Sequence, residues 1–187
     1  MFPDLKTQGF RWRRFAFALA LAFAVAAPAG AAFADLGSAA RLLPSAELVG
    51  KGRMTFLGFK VFDAELYAPQ GTYSPSAPFA LKLTYLRTFK GKQIAESSVK
   101  EIRRQGGVSD AQLAKWQTQM EALFPNVSPG QSITGVRTSS GKAEFYLGNQ
   151  KLGTISDSAF TKKFFAIWLG NNTRDPQLRA QLVGSGS

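Results

Sequence analysis

The feature that most constrains the fold is a change of hydrophobic period near residue 90. From Phe79 to Tyr85 the large apolar residues alternate. Phe79, Leu81, Leu83 and Tyr85 share one face, and Lys82 and Thr84 take the other, the pattern of a half-buried strand. From Gly91 the apolar residues fall at Ala95, Val99 and Ile102, the spacing of one helical face. A chain that makes this switch, and later reverses it, must lay helices against a sheet.

The flanking segments extend the pattern. Residues 53–57 and 59–67 are rich in aromatic and β-branched side chains and meet at Gly58, which predicts two strands joined by a tight turn. Residues 35–48 read as a lead-in, with Leu42-Leu43 ended by Pro44, and residues 69–78 read as a loop. The alternating strand is predicted over 79–89 and the first helix over 91–105. Ser109-x-x-Gln112 is a capping box opening a second helix, with Leu113, Trp116, Met120 and Leu123 on its buried stripe. Strands follow at 131–138, 142–147 and 151–155, separated by Ser139-Ser140-Gly141 and Gly148-Asn149. Asp157 caps a third helix carrying Phe160, Phe164, Ile167 and Trp168 and ended by Gly170, and Asp175-Pro176 opens a short last one. Strands, two helices, strands and two helices give an α+β fold, an antiparallel sheet covered by a layer of helices.

Composition bears mainly on chemistry. The 187 residues include no cysteine and no histidine. That excludes thiol nucleophiles, disulfides, thiolate metal sites and any imidazole triad or shuttle. No carboxylate cluster or glycine-rich phosphate loop is present in the sequence, so neither metal nor cofactor is expected. The net charge of +11 favours anionic lipid heads, cell-wall polymers or acidic ligands. The basic residues are scattered without a motif that orders them, and no nucleic-acid partner is expected.

The first 34 residues read as a secretory signal. Lys6, Arg11, Arg13 and Arg14 precede an apolar run from Phe15 to Ala27, and Ala32-Phe33-Ala34 has the small-x-small pattern that signal peptidase accepts. The run is too short for a hydrocarbon core that needs about 20 residues. Cleavage after Ala34 is expected, leaving one domain over 35–187, exported to the periplasm of a Gram-negative bacterium.

Few residues carry candidate chemistry. Arg87 is in phase with Phe79, Leu81, Leu83 and Tyr85, which turns its guanidinium toward the buried face and demands a partner. The next helix supplies Glu101 and Ser98. A structural ion pair between Arg87 and Glu101 is the first expectation, and a grip by Arg87 on a ligand carboxylate is the second. Asp63 and Glu65 share a strand face and read as a solvated pair rather than as an acid/base dyad. Tyr67 and Tyr85 read as core-edge aromatics, and Phe160, Phe164, Phe165 and Trp168 as packing.

In this order the motifs resemble a known family. Gly50-x-Gly52, Leu57-Gly58-Phe59-Lys60-Val61-Phe62-Asp63-Ala64-x-Leu66-Tyr67, Leu83-x-Tyr85-x-Arg87, Ile94-Ala95-x-x-Ser98-x-x-Glu101 and the stretch from Phe160 to Gly170 are similar to the bacterial chalcone isomerase-like domain. The similarity runs over about residues 45 to 184. It implies a large antiparallel sheet under helices, a fold that holds the plant flavonoid-cyclising enzyme, plastid fatty-acid-binding relatives and non-catalytic paralogues. Carried over by position, the resemblance puts Arg53 at the enzyme's hairpin arginine and Thr161 at its late-helix hydroxyl. It puts Phe62 at the strand threonine, Ile94 at the helix tyrosine and Glu101 at the helix asparagine. Phe62 and Ile94 cannot hydrogen-bond a ketone or order a water, so flavonoid cyclisation is not expected.

Three functions follow as expectations. The first is a non-catalytic binding or scaffolding protein, its ligand a fatty acid or other amphipathic molecule held near Arg53, Arg87, Glu101 and Thr161. The second is an isomerase or lyase of the same fold, with Glu101 as general base and Arg87 or Arg53 holding an anion. The third is a basic surface docking an envelope protein or an anionic surface.

Overall fold

The computed structural model describes residues 36–184; the predicted export segment lies outside them. Six strands form one sheet in chain order, every neighbouring pair antiparallel. Strand β1 (Ala46–Phe56) turns at Leu57-Gly58 into β2 (Phe59–Pro69), and β3 (Phe79–Tyr85) pairs with it. Helices α1 (Gly91–Gln105) and α2 (Asp110–Leu123) then leave the sheet. The chain returns as β4 (Ser132–Arg137), β5 (Ala143–Leu147) and β6 (Gln150–Ile155), and ends in α3 (Ser158–Leu169) and α4 (Pro176–Val183). The α+β fold read from the sequence is the one observed.

Strand β1 starts well before residue 53, where the pattern first became legible. Gly50 and Gly52 interrupt its alternation because α4 lies against them. A Cβ on Gly50 would overlap the carbonyl oxygens of Gln181 and Leu182, and one on Gly52 would meet the Leu178 and Gln181 side chains. Register shifts between Leu48 and Gly50 and between Met54 and Thr55 further blur the period.

Alternate residues of each strand build two different cores. On the helical face Leu66, Leu81, Ile133 and Phe145 meet Val99 and Ile102 of α1, Leu113 and Trp116 of α2, Phe160, Phe164 and Phe165 of α3, and Leu178 and Leu182 of α4. Phe145 contacts Phe124 and Phe164 edge-on, with centroids 5.1 and 5.2 Å apart, geometry that the ring quadrupole favours. On the opposite face a smaller core joins Tyr67, Ala80, Val136 and Tyr146 to Leu36, Ala39, Ala40 and Leu43, held by a 3-10 turn over Gly37–Leu42.

The last three helices begin at the predicted caps, Ser109, Asp157 and Asp175. Ser109 Oγ accepts from the Gln112 N–H at 3.2 Å. The reciprocal half of that capping box is missing, because the Gln112 side-chain amide donates to Asp157 instead, at 3.0 Å. Asp157 Oδ1 accepts the backbone N–H groups of Ala159 and Phe160, at 2.9 and 3.1 Å. Its Oδ2 accepts the Trp116 indole N–H at 3.0 Å. One carboxylate thus caps α3 and clamps it to α2. Burial pushes the Asp157 carboxyl up, but the hydrogen bonds from Trp116, Phe160 and Ala159 and the charge of Lys115 outweigh it and hold it below its ordinary value.

Candidate ligand cleft

Where α1 and α3 cross β2, β3 and β4, the layers enclose a cleft of about 780 Å³. Its deep part is lined by Leu81, Leu83, Ile133, Phe145 and Phe165, all buried. Ile94 and Ser98 of α1 and Phe164 and Trp168 of α3 form the walls. Exposed lining residues mark the mouth: Phe56 and Phe59 from the β1–β2 hairpin, Arg87 after β3, Lys100 from α1 and Arg174 from the α3–α4 loop. Exposed Glu96 and half-buried Glu101 and Asp175 line the cleft too, so an apolar interior opens through a rim that carries both signs of charge.

The expected Arg87–Glu101 ion pair does not form. Strand β3 ends at Tyr85 and the chain bends at Leu86 and Arg87, so the two-residue phase stops short and Arg87 comes out exposed. Its guanidinium lies over the Phe59 ring, 4.7 Å from the centroid, a cation–π contact. Glu101 is neutralised from elsewhere. Arg104, one turn along α1, donates to its Oε2 at 2.9 Å, and Arg174 reaches its Oε1 at 2.8 Å. Burial pushes the Glu101 carboxyl up, yet the two guanidinium hydrogen bonds and charges outweigh it and keep its pKa below the ordinary value.

The four candidate binding residues separate into two pairs. Arg87 and Glu101 both line the cleft. Arg53 and Thr161 are not among its lining residues. Arg53 faces Asp63 across the β1–β2 register and holds it with both prongs of its guanidinium, Nε to Oδ1 and Nη2 to Oδ2, the latter at 2.9 Å. That hydrogen bond, ahead of burial, which acts the other way, and of the cation's charge, holds the Asp63 carboxyl down. Their neighbours Met54 and Phe62 line the cleft, so the Arg53–Asp63 pair sits on the other side of the pleat. Glu65 on that same face pairs with Lys82 at 3.0 Å, which leaves Asp63 and Glu65 as partners in ion pairs, not as a dyad. Thr161 is buried and its hydroxyl donates to the Asp157 carbonyl at 3.1 Å, a bond internal to the helix.

Two lining cations escaped the sequence reading. Lys100 follows Val99 of the buried stripe and reads as ordinary helix surface, and Arg174 stands 73 positions beyond its partner Glu101. Only the Glu101–Arg104 spacing of three carried a local signal. Tyr85, expected at the core edge, is buried in the cleft wall, and burial drives its hydroxyl pKa well above the usual range. Phe62 and Ile94, the positions that the resemblance aligned with polar catalytic groups, also line the cleft and present hydrocarbon to it. Among the described residues no group of three or more carboxylates is arranged to hold a metal ion.

The sequence profile of the family described as chalcone isomerase-like matches residues 44–184. The chain belongs to the chalcone isomerase-like family. No curated protein matches it in sequence. Among solved structures, this chalcone isomerase-like chain superposes on a fatty-acid binding protein of Arabidopsis thaliana with a TM-score of 0.58. The two are 13% identical, and the match covers 75% of this chain and 87% of the plant protein. At that identity the likeness establishes the fold.

Proposed function

We propose that this chalcone isomerase-like protein binds an amphipathic carboxylic acid, such as a long-chain fatty acid, without turning it over. The observation that carries the reading is the cleft itself, with an apolar interior of about 780 Å³ opening past a cation, Arg87, that has no carboxylate partner among the described residues. The volume falls within the roughly 300–1,000 Å³ usual for small-molecule sites. Burying an alkyl tail stabilises the complex by about 25 cal/mol per Å² of apolar surface, while Arg87 and Lys100 offer a headgroup its counter-charge. The fatty-acid binding function of the plant neighbour agrees with this ligand class.

Catalysis by Glu101 and Arg87 fits less well. A general base works best with a pKa near the working pH. Glu101 is shifted the other way, and both its oxygens accept from guanidinium groups. The other lining carboxylates are engaged as well: Asp175 caps α4 by accepting the Leu178 N–H at 2.9 Å, and Glu96 lies exposed beside Lys92.

Export to a bacterial periplasm, with cleavage after Ala34, belongs to the same proposal and rests on the N-terminal pattern alone. The mass of the chain recovered from a periplasmic fraction tests it, and an intact N-terminus would contradict it. Native mass spectrometry of the isolated protein tests the ligand. A species heavier than the chain by a fatty acid, lost on delipidation and restored by added hexadecanoate, is expected. A chain that takes up no hexadecanoate would overturn the binding role.

A further inference from the structure

The tip of the β1–β2 hairpin is built against the usual rules for an exposed turn. Leu57 and Gly58 both have positive φ, 48° and 78°, the pairing of a two-residue hairpin turn that favours Asn-Gly. A leucine there places a branched side chain in the left-handed region. It is also 81% exposed, and Phe56 and Phe59, its flanking cross-strand pair, are 55% and 59% exposed. Isolated surface hydrophobes are ordinary, but three together on a projecting tip mark an interaction site. Exposed Lys60 and Arg87 flank them, and neither forms an ion pair among the described residues. The nearby Asp63 is already taken by Arg53.

We propose that this tip is a lipid-docking wedge that seats the cleft mouth on an anionic bilayer surface. Leu57 and the two phenylalanine rings enter the interfacial region, where aromatic side chains settle, while Lys60 and Arg87 meet anionic headgroups. Attachment through this tip is peripheral, since no helix among the described residues is long and apolar enough to cross a membrane. Phe56, Phe59 and Arg87 also line the mouth of the cleft. A docked tip therefore aligns the cleft with the bilayer, so that an amphiphile can move tail-first between them while its acid stays at headgroup level. That transfer rests on the binding role proposed above; the docking does not.

The test compares wild type with Leu57→Asn, in the chain as isolated with its N-terminus read by mass spectrometry. Asparagine suits the left-handed turn position, so the variant is expected to melt no lower than wild type. Vesicles of phosphatidylcholine with about one-third phosphatidylglycerol are the probe in flotation assays. Wild type is expected to float, less so in high salt, and Leu57→Asn to partition about tenfold more weakly. A Leu57→Trp variant read with brominated lipids localises the contact, and quenching at that tryptophan is expected. Equal partition of wild type and Leu57→Asn, absence of quenching, or a wild-type dimer that Leu57→Asn dissociates would each overturn the docking. Hexadecanoate delivered from cyclodextrin separates the two proposals. Leu57→Asn should take it up as wild type does, and a wild type that floats yet takes up none leaves docking standing while the binding role fails.

Discussion

The two faces of the sheet are built from alternate residues of the same strands, yet they are finished in opposite ways. On the outer face three ion pairs cross between neighbouring strands. Arg53 holds Asp63, Lys82 holds Glu65, and Lys151 holds Glu144 at 2.7 Å. A small core under the 3-10 turn fills the remainder. On the helical face the aromatic side chains of β5 and α3 pack against one another, and Phe145, Phe164 and Phe165 among them form the inner lining of a cleft where the layers part. There the charges are gathered at the rim, and Arg87 is left to an aromatic ring. The face that ties its strands together with ion pairs supports the structure, and the face that keeps a cation beside a void is the one available to a ligand.

Adjacent residues Phe145 and Tyr146 offer the sharpest way to break this comparison, because they point to opposite faces. Phe145→Ala removes a fully buried ring from the aromatic cluster and is expected to cost about 3–5 kcal/mol in urea unfolding. Tyr146→Phe removes only a hydroxyl that donates to Glu144 at 2.9 Å, and is expected to cost about 1 kcal/mol. Equal losses would mean that the helical face is not the principal core.

Asp157→Ala comes next in size. It removes a helix cap and strands the indole N–H of the buried Trp116, for an expected loss of about 2–4 kcal/mol in the same measurement. The cleft itself is probed by Ile94→Trp, which places a large ring in its wall from the half-buried side of α1. Hexadecanoate uptake is expected to fall by tenfold or more, with the melting temperature within a few degrees of wild type. Unchanged uptake would place the ligand elsewhere.

A smaller effect concerns acid. The carboxyls of Asp63, Glu101 and Asp157 all lie below their ordinary values of 3.8, 4.5 and 3.8 in the folded chain. On acidification the unfolded chain takes up these protons first. Their stabilisation is therefore complete above about pH 4.5 and is lost as pH falls through the lowered values. Melting temperatures from pH 7 to pH 3 should decline below that point, and Glu101→Gln should flatten the decline. An identical decline in the variant would contradict the two-guanidinium clamp.

What was legible in the sequence follows the reach of its physics. The starts of α2, α3 and α4 were readable because Ser109, Asp157 and Asp175 act on N–H groups two or three residues away. The hairpin was readable because Gly58 permits its turn. The start of β1 was hidden because Gly50 and Gly52 answer to α4, which follows some 130 residues later. Arg87 was misplaced by extending the period of β3 past Tyr85, where the bend breaks it. Glu101 was expected to pair with Arg87; it pairs instead with Arg104 and with Arg174, which comes from a loop that no local pattern ties to α1. The cleft is a gap between layers, and a gap leaves no residue pattern.

Calorimetric titration of delipidated wild type, Arg87→Ala and Arg53→Ala with hexadecanoate and with its methyl ester tests the central claim most directly. One saturable site is expected for the acid in wild type. Arg87→Ala should weaken it about five- to tenfold while leaving the ester unaffected, and Arg53→Ala, on the outer face, should match wild type. No heat of binding in wild type, or equal affinity in wild type and Arg87→Ala, would contradict the account.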